Sequence, residues 1–373
     1  MGVLRIHAGP LARQHIERHG LRPNDIAAIA AAAGGPKGLI LGPLDRFIFG
    51  DWLAGSSQPV DLIGGSIGAW RMATACLDDP VQALQRLEHD YIHQDYPLEP
   101  GRKRPPPAVV SRLFGQNLQA FFGGRVTQVL GHPRFRLHIL TSRGRHLLGR
   151  EAGLRAPLGY LGAFLTNAVQ RRAMGAWLER VVFSSTVADG AADPVIAPLP
   201  FDPADYRTRQ VALTRANFAP ALQASCSIPF VLQAVHNIAG APRGAYWDGG
   251  ITDYHLHLNY RAAMLSRPPG APKLVLYPHF QRAVVPGWLD KHLAWRHGAT
   301  AFLDNVIVLA PDADWVRALP NGKLPDRTDF TRYGTDLQAR VAAWRTAVAA
   351  SEQLADAFAA WLARPDAAQV EPL

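Results

Sequence analysis

A serine flanked by glycines stands where the chain changes from strand-like to helix-like patterning. Residues 64–68 read GGSIG, with Ser66 at the centre, directly after the apolar run of residues 60–63. A sharp strand-to-helix turn pushes the central hydroxyl outward, and glycines two positions away on either side, Gly64 and Gly68, leave room for a strained backbone. The pattern predicts a nucleophilic serine on such a turn, and a plain glycine-rich helix entry is the alternative.

A second glycine-rich turn precedes the first. The sequence GGPKG, residues 34–38, follows an apolar run predicted as a buried strand, Ile26 to Ala33. Flexible glycines can aim backbone N–H groups at negative charge, and a lysine adds a positive charge. Pro36 has no N–H, so the donors must come from Gly34, Gly35 or Lys37. The turn predicts an oxyanion-binding or anion-binding loop, with a tight connection between elements as the alternative.

An aspartate followed by two glycines occurs much later in the chain. Asp248 is followed by Gly249 and Gly250, a sequence that permits a turn bringing the carboxylate close to another backbone. Asp-Gly is also an ordinary turn signal. On its own, this pattern indicates a turn at least as much as it indicates catalysis.

The three motifs, taken in order, resemble the patatin-like phospholipase family, which has a glycine-rich oxyanion loop, a GxSxG turn and a distal Asp-Gly-Gly. The segment ASCSIPF, residues 224–230, is similar to the Ala-Ser…Pro segment that this family places before its aspartate. The resemblance spans about residues 25–252. Two departures are Ala32 and Ala33, where the family's loop has Asp-Gly, and Lys37, where Arg is commoner.

The resemblance implies a lipid acyl hydrolase with a serine–aspartate dyad, without metal or cofactor. Ser66 would attack an acyl carbonyl while Asp248 takes its proton, and an acyl-enzyme would follow. The implied oxyanion hole comprises Gly34, Gly35, Lys37 and Ile67, with motif support from Gly38, Gly64, Gly68, Gly249 and Gly250. A carboxylate is a weak base for a serine unless desolvation raises its pKa, so we expect a partly dry site.

Two alternatives to this mechanism remain open from the sequence. His255 and His257 alternate with Asp253 in the sequence and would share one face if residues 251–258 form a strand. On that face they could be partners of Ser66 in a Ser–His–Asp triad, a pair of metal ligands or a polar strand face. A catalytically silent lipid-binding protein with the same fold is the other alternative.

Alternating apolar runs and helical patterns predict an α/β protein with a parallel-type central β-sheet flanked by helices. The resemblance implies a patatin-like three-layer sandwich. We expect a hydrolase domain over residues 1–280 and a mostly helical C-terminal extension over 281–373, packed on the same body and including a helix capped at residues 335–338. A helix near residues 108–122 carries Phe114, Leu118, Phe121 and Phe122 on one side, typical of core packing, with a lid as the alternative.

Composition limits the classes of partner. The 373 residues are 48% hydrophobic and 18% charged, with a net charge of +9 and two cysteines, which argues against disorder and a disulfide framework. No zinc finger, RNP-like pattern or basic zipper occurs, so we expect no nucleic-acid partner. Without a secretory signal or a membrane-spanning run we expect a cytoplasmic protein. Arg102, Lys103 and Arg104, in a proline-rich loop, are the predicted contact with anionic membrane surfaces.

Overall fold

The apolar runs pair into one central sheet in the computed structural model, which describes residues 2–96, 105–150, 155–187 and 194–373. Within these residues eleven strands form the central sheet and two short strands, β6 and β7, form a separate ribbon. In chain order the strands are β1 (Leu4–Ala8), β2 (Ile26–Ala31), β3 (Val60–Gly65), β4 (Phe135–Gly144), β5 (Leu178–Ser184), β6 (Thr186–Val187), β7 (Val195–Ile196), β8 (Thr208–Ala212), β9 (Val235–His236), β10 (Ala245–Asp248), β11 (Leu274–Pro278), β12 (Val306–Pro311) and β13 (Val370–Pro372).

The predicted α/β fold with a mostly parallel sheet is confirmed. The strand order is β13-β1-β12-β11-β2-β3-β4-β10-β9, and β5 and β8 continue from β4. Strands β12, β11, β2, β3 and β4 run parallel to one another, whereas β1 is antiparallel to β12 and β10 is antiparallel to β4. The carboxyl ends of β11, β2 and β3 therefore meet at one edge of the sheet, where parallel α/β proteins commonly bind their ligands.

Alternate residues of the central strands serve two cores, one on each face of the sheet. Leu62 packs in one buried cluster and Ile63 in the other. The same division separates Ile307 from Val308. Because successive strand residues point to opposite faces, burial on both faces requires the continuous apolar runs that the sequence shows.

Helices cover the sheet and connect its strands. In the described residues they are α1 (Pro10–His19), α2 (Gly42–Gly50), α3 (Ile67–Ala75), α4 (Pro80–His93), α5 (Pro107–Phe122), α6 (Val126–Leu130), α7 (Arg155–Val169), α8 (Phe218–Ser225), α9 (Tyr260–Leu265), α10 (Ala313–Ala318), α11 (Thr328–Tyr333) and α12 (Leu337–Ala363). In α5, Leu118, Phe121 and Phe122 are buried, and the Trp70 ring packs against both phenylalanines. The prediction that the apolar side of this helix packs in the core is confirmed.

The C-terminal third is built into the sheet. Residues 281–373, predicted as a mostly helical extension, contain the long helix α12 but also contribute β12 and β13. Strand β12 lies between β1 and β11, and β13 pairs with β1. These residues therefore complete the same sheet in addition to packing on it.

The glycine-rich turn and the start of α12 show the local details of the chain. A 3-10 helix over Gly35–Leu41 follows the glycine-rich turn, and α2 begins at Gly42. The predicted cap of α12 is displaced by one residue, because Asp336 rather than Thr335 accepts a hydrogen bond from the Ala339 N–H.

The predicted membrane contact at residues 102–104 lies outside the described residues. No helix in the described part of the chain is long and apolar enough to cross a membrane.

Candidate active site

Ser66 lies on a strained turn between β3 and α3. Its backbone has φ 56° and ψ −130°, a conformation that is sparsely populated for residues other than glycine. A Cβ on Gly68 would stand 2.0 Å from the Ala31 carbonyl oxygen, and one on Gly64 would stand 2.5 Å from the Ala69 nitrogen. The close approach of these backbones explains both glycines of the motif and fixes the start of α3 against the end of β2.

Asp248 reaches Ser66 through the register of the sheet. Gly65 pairs with Leu140 in β4, and Asp248 pairs with the next β4 residue, Thr141. The Ser66 hydroxyl donates a hydrogen bond of 2.7 Å to Asp248 Oδ2. The Gly250 N–H donates a bond of 2.7 Å to Asp248 Oδ1. Both side chains are buried, and both carboxylate oxygens have donors.

The segment after α8 holds this pair in place. The Ser66 N–H donates to Ser225 Oγ at 2.9 Å, and Ser225 Oγ donates to the Leu140 carbonyl at 2.6 Å. The Asp248 N–H donates to the Ser227 carbonyl at 2.9 Å. Ser225 therefore fixes the backbone of the turn, and the Ser66 N–H already has a partner.

Gly249 and Gly250 allow the aspartate turn to sit against its neighbours. A Cβ on Gly249 would stand 2.2 Å from the Leu140 carbonyl oxygen, and one on Gly250 would stand 2.7 Å from the Ala33 side chain. The Asp-Gly-Gly turn thus contacts both β4 and the end of the glycine-rich loop, so the motif serves close packing as well as the turn.

The glycine-rich loop borders the same site. Gly35 has φ 57°, which favours glycine, and the 3-10 helix that begins there is preceded by Gly34. A Cβ on Gly34 would stand 2.5 Å from the Phe280 ring, and one on Gly38 would contact Ile67 at 3.4 Å. The loop therefore lies between the end of β11 and the start of α3.

A pocket of about 190 Å³ opens over Asp248. Its wall combines apolar, aromatic and charged side chains. The lining residues are Ala33, Gly34, Lys37, Ile228, Pro229, Asp248, Gly250, Ile251, Tyr254, Trp288, Lys291, Asp326, Arg327 and Thr328. Asp248 and the glycine-rich loop thus line this concave surface, and Ser66, which does not line it, is hydrogen-bonded to Asp248.

Among the described residues, three cationic side chains line this pocket, and only Lys37 belongs to a sequence motif. Lys291 Nζ lies 4.1 Å from the centre of the Tyr254 ring. Arg327 Nε would stand 3.2 Å from a Cβ on Gly35. The Asp326 carboxylate lies 2.8 Å from Lys323, which also pairs with Asp329 at 2.8 Å. Lys291 and Arg327 belong to no motif, and no local sequence signal marks them as pocket residues.

The surroundings shift the proton affinities of these groups. Burial raises the pKa of the Asp248 carboxyl. The Arg327 cation and the hydrogen bonds from Ser66 and the Gly250 N–H partly offset this rise. Burial lowers the pKa of Lys37. Lys291 is exposed along part of its length, yet desolvation around its ammonium, with the nearby Arg327 and Lys37 cations, lowers its pKa to about 8.

The histidines of the alternative triad lie in other environments. Residues 252–258 form no strand, so the shared face expected for His255, His257 and Asp253 is not present. The His255 Nδ1 contacts Ala283 and Val285 backbone groups.

His257 and Asp253 also have partners of their own. His257 Nε2 lies 3.4 Å from Thr300 Oγ1, and Asp253 forms a buried ion pair with Arg180 at 2.6 Å. No cluster of three metal-ligating side chains occurs in the part of the chain that the structure describes.

Comparison with known proteins gives distant structural similarity alone. No family model and no curated protein matches the chain at a significant level. The structure is similar to human GIVD cytosolic phospholipase A2, with 12% identity and a TM-score of 0.44 over 96% of this chain and 63% of that chain. It is also similar to the type III effector protein ExoU, with 13% identity and a TM-score of 0.25 over 90% of this chain and 54% of that chain. The chain thus spans less than two thirds of either protein.

Proposed function

We propose that this protein is a serine hydrolase that cleaves carboxylic ester bonds of acyl lipids through Ser66 and Asp248. The observation that carries the proposal is the 2.7 Å hydrogen bond from the Ser66 hydroxyl to Asp248 Oδ2 at a strained strand-to-helix turn beside a pocket. A serine hydroxyl bonded to a buried carboxylate is an activated nucleophile when that carboxylate accepts its proton.

In the proposed mechanism Ser66 Oγ forms a bond to the ester carbonyl carbon as its proton moves to Asp248 Oδ2. Collapse of the tetrahedral intermediate breaks the bond to the leaving alcohol, which takes the proton from Asp248. Water then attacks the acyl-enzyme, and Asp248 accepts a proton from that water. The bond between Ser66 Oγ and the acyl carbon breaks, Ser66 takes the proton from Asp248, and the fatty acid leaves. Burial, which raises the pKa of Asp248, makes the carboxylate a stronger base than an exposed aspartate.

The oxyanion would be stabilised by backbone N–H groups from two helix starts. Ile67 is the first residue of α3, and Gly35 begins the 3-10 helix of the glycine-rich loop. First-turn N–H groups have no partner within their helix and favour negative charge. We assign Gly34, Gly35, Lys37 and Ile67 to this role, whereas the Ser66 N–H is bonded to Ser225.

The pocket wall favours an acyl substrate that carries negative charge. Ile228, Pro229 and Ile251 give it apolar surface for an acyl chain. Among its described lining residues, Lys37, Lys291 and Arg327 outnumber the two carboxylates of Asp248 and Asp326. A phosphate ester of a lipid fits both features, so we place phospholipids and lysophospholipids within the proposed substrate class.

The test is covalent labelling of the purified protein by a fluorophosphonate probe, which reacts with activated serines. We expect the wild type to be labelled, and Ser66→Ala and Asp248→Asn to lose labelling while unfolding at denaturant concentrations near that of the wild type. His255→Ala serves as the control and should label as the wild type does. A folded wild type without labelling contradicts the hydrolase proposal and favours a silent lipid-binding protein. Loss of labelling in folded His255→Ala favours a histidine-dependent mechanism.

A further inference from the structure

Helix α7 presents a row of large apolar side chains to solvent. Leu158, Leu161, Leu165 and Val169 are 59%, 53%, 56% and 87% exposed, respectively. Their spacing of three and four residues places them along one side of the helix. An exposed apolar row of this kind marks a surface that contacts another apolar phase.

The inward side of α7 packs closely against its neighbours, which fixes the helix in this orientation. Gly159 and Gly162 lie so close to Leu148 and Trp177 that a Cβ on either glycine would stand 2.6 Å from those side chains. Asn167 is buried, and its amide donates a hydrogen bond of 2.7 Å to Asp290. Rotating the leucines inward would place them where only glycine fits, so their exposure follows from the packing.

Two further exposed aromatic residues adjoin this helix. Phe230 is 62% exposed, and its ring centre lies 6.0 Å from that of Tyr160 in α7. Trp295 is 72% exposed, and the next residue, Arg296, donates to the Ala168 carbonyl at 3.1 Å. We use the term α7 face for the exposed row Leu158, Leu161, Leu165 and Val169, and Phe230 and Trp295 are exposed beside the helix.

Helix α7 adjoins the pocket. Phe230 directly follows Ile228 and Pro229, which line the pocket. On another side, Asp290 accepts the Asn167 hydrogen bond and lies between two pocket residues, Trp288 and Lys291, in the chain. Both connections run through the inward side of α7, so the helix lies against segments that form the wall of the pocket.

Positive charge flanks the α7 face. Residues 157–178 contain no aspartate or glutamate, and Arg171 and Arg172 follow the helix, with Arg171 in ion pairs with Asp253 and Asp290. Arg172 lines a pocket of about 490 Å³ together with Arg145 and Arg207, and none of the described residues that line it is acidic. Nearby, the single carboxylate of Glu179 contacts three arginines, Arg143, Arg207 and Arg209.

We propose that the α7 face docks on the surface of an anionic lipid bilayer and brings the pocket to that surface. An apolar helical row without acidic residues, flanked by arginines, is the pattern of helices that lie in the interface of anionic membranes. A bilayer supplies both partners at once, since acyl chains accept the leucines and phosphate groups accept the arginines. Docking requires no chemistry at Ser66, so it can be tested apart from the hydrolase proposal on which its purpose rests.

The experiment measures binding of the Ser66→Ala protein to sedimenting vesicles, because this variant cannot degrade the lipid by the proposed mechanism. Vesicles of phosphatidylcholine with about 30% phosphatidylglycerol supply anionic charge, and pure phosphatidylcholine vesicles are the comparison. We expect tighter binding to the anionic vesicles. Leu161→Ser with Leu165→Ser should raise the dissociation constant by at least about tenfold. Leu265→Ser is the matched control, since Leu265 in α9 is also 53% exposed, and it should bind as the parent does.

Three results would overturn the proposal. These are unchanged binding by the double leucine variant, an equal loss in Leu265→Ser, and a lipid-free dimer that the double variant dissociates in light scattering. The last result would assign the α7 face to contact between copies of the chain.

Hydrolysis of a soluble short-chain ester by proteins that retain Ser66 separates the two proposals. Turnover that the double leucine variant leaves unchanged supports docking as a distinct property. Vesicle binding by a protein that neither labels nor hydrolyses the ester would support docking and reject the hydrolase.

Discussion

Ser66 combines an unfavourable backbone conformation with a buried, hydrogen-bonded side chain. Its φ of 56° and ψ of −130° are held by close contacts of Gly64 and Gly68 with neighbouring backbones. Strain of this type is of order 1–3 kcal/mol for a residue with a Cβ. The surrounding packing therefore keeps the hydroxyl in a position that the local sequence alone would not favour.

This strain predicts an unusual ranking of two inactive variants. Ser66→Gly and Ser66→Ala both remove the hydroxyl and its bond to Asp248, but only glycine relaxes the backbone. We expect the free energy of unfolding of Ser66→Gly to exceed that of Ser66→Ala by about 1 kcal/mol, after the greater unfolded-state entropy of glycine is subtracted. Urea unfolding of both proteins measures the difference, and an equal or lower stability of Ser66→Gly would contradict the assigned strain.

Lys291 predicts a pH dependence that differs between substrates. Its pKa of about 8 means that the ammonium is charged below this pH and loses its charge as the pH rises through it. We expect KM for an anionic lipid ester to increase at least about fivefold between about pH 7 and pH 9, because a charge-assisted contact is lost.

The controls for this prediction are a neutral ester, whose KM should stay constant, and two variants. Lys291→Met should have a high KM for the anionic ester that no longer changes across this pH range. Lys273→Met should behave as the wild type, since Lys273 precedes β11 at the end opposite to the pocket. A pH dependence that is the same for both esters would place the titrating group elsewhere.

At the scale of elements, the candidate site depends on where strands end. Strands β2 and β3 are parallel neighbours with Ala31 paired to Gly64, so the glycine-rich loop and the Ser66 turn leave the sheet side by side. Strand β10 approaches from the opposite direction and ends at Asp248 opposite Thr141. The ends of two parallel strands and of one antiparallel strand thus bring together residues that are far apart in the chain.

Gly68 is the position where this arrangement is most sensitive to substitution. A Cβ there would stand 2.0 Å from a backbone oxygen of β2, which cannot move without distorting the sheet. We expect Gly68→Ala to lower the free energy of unfolding by about 3 kcal/mol or more.

Gly55→Ala is the matched control, because nothing lies within 4 Å of the added Cβ. Its stability should stay within about 1 kcal/mol of the wild type, since an exposed glycine-to-alanine change without contacts is nearly neutral. Chemical denaturation compares the two variants. Equal losses of stability would show that the Ser66 turn tolerates a side chain at position 68.

At the scale of the whole molecule, the C-terminal third contributes to the same sheet and pocket as the site. It supplies β12 within the sheet, and α12 buries Trp344 and Phe358. It also supplies Lys291 and Arg327 to the pocket. Removal of this part would expose two sheet edges and a large apolar surface.

A chain ending at residue 280 should therefore fail to unfold cooperatively and should lose fluorophosphonate labelling. A chain ending at residue 369 lacks only β13 and the last residue, so it should unfold cooperatively at a lower denaturant concentration and retain labelling. Circular dichroism during urea titration distinguishes these outcomes. Cooperative unfolding of the 1–280 chain would show that a boundary at 280 separates two independent units.

The local sequence determined features that depend on neighbouring residues. Continuous apolar runs such as residues 26–31 specify strands buried on both faces, and the glycines around Ser66 specify a turn with close backbone contacts. The apolar stripe of α5 specified its core packing. In each case the deciding interactions lie within one element or with any apolar partner, so the sequence pattern was sufficient.

Only the tertiary structure decided which distant groups meet. Ser66 and Asp248 are 182 positions apart, and their 2.7 Å contact depends on strand order and register. The pocket cations Lys291 and Arg327 come from loops without a motif. The outward leucines of α7 are exposed because Trp177 and Leu148 fill the space beside its glycines. These features depend on long-range packing and close approach in space, which local sequence patterns do not encode.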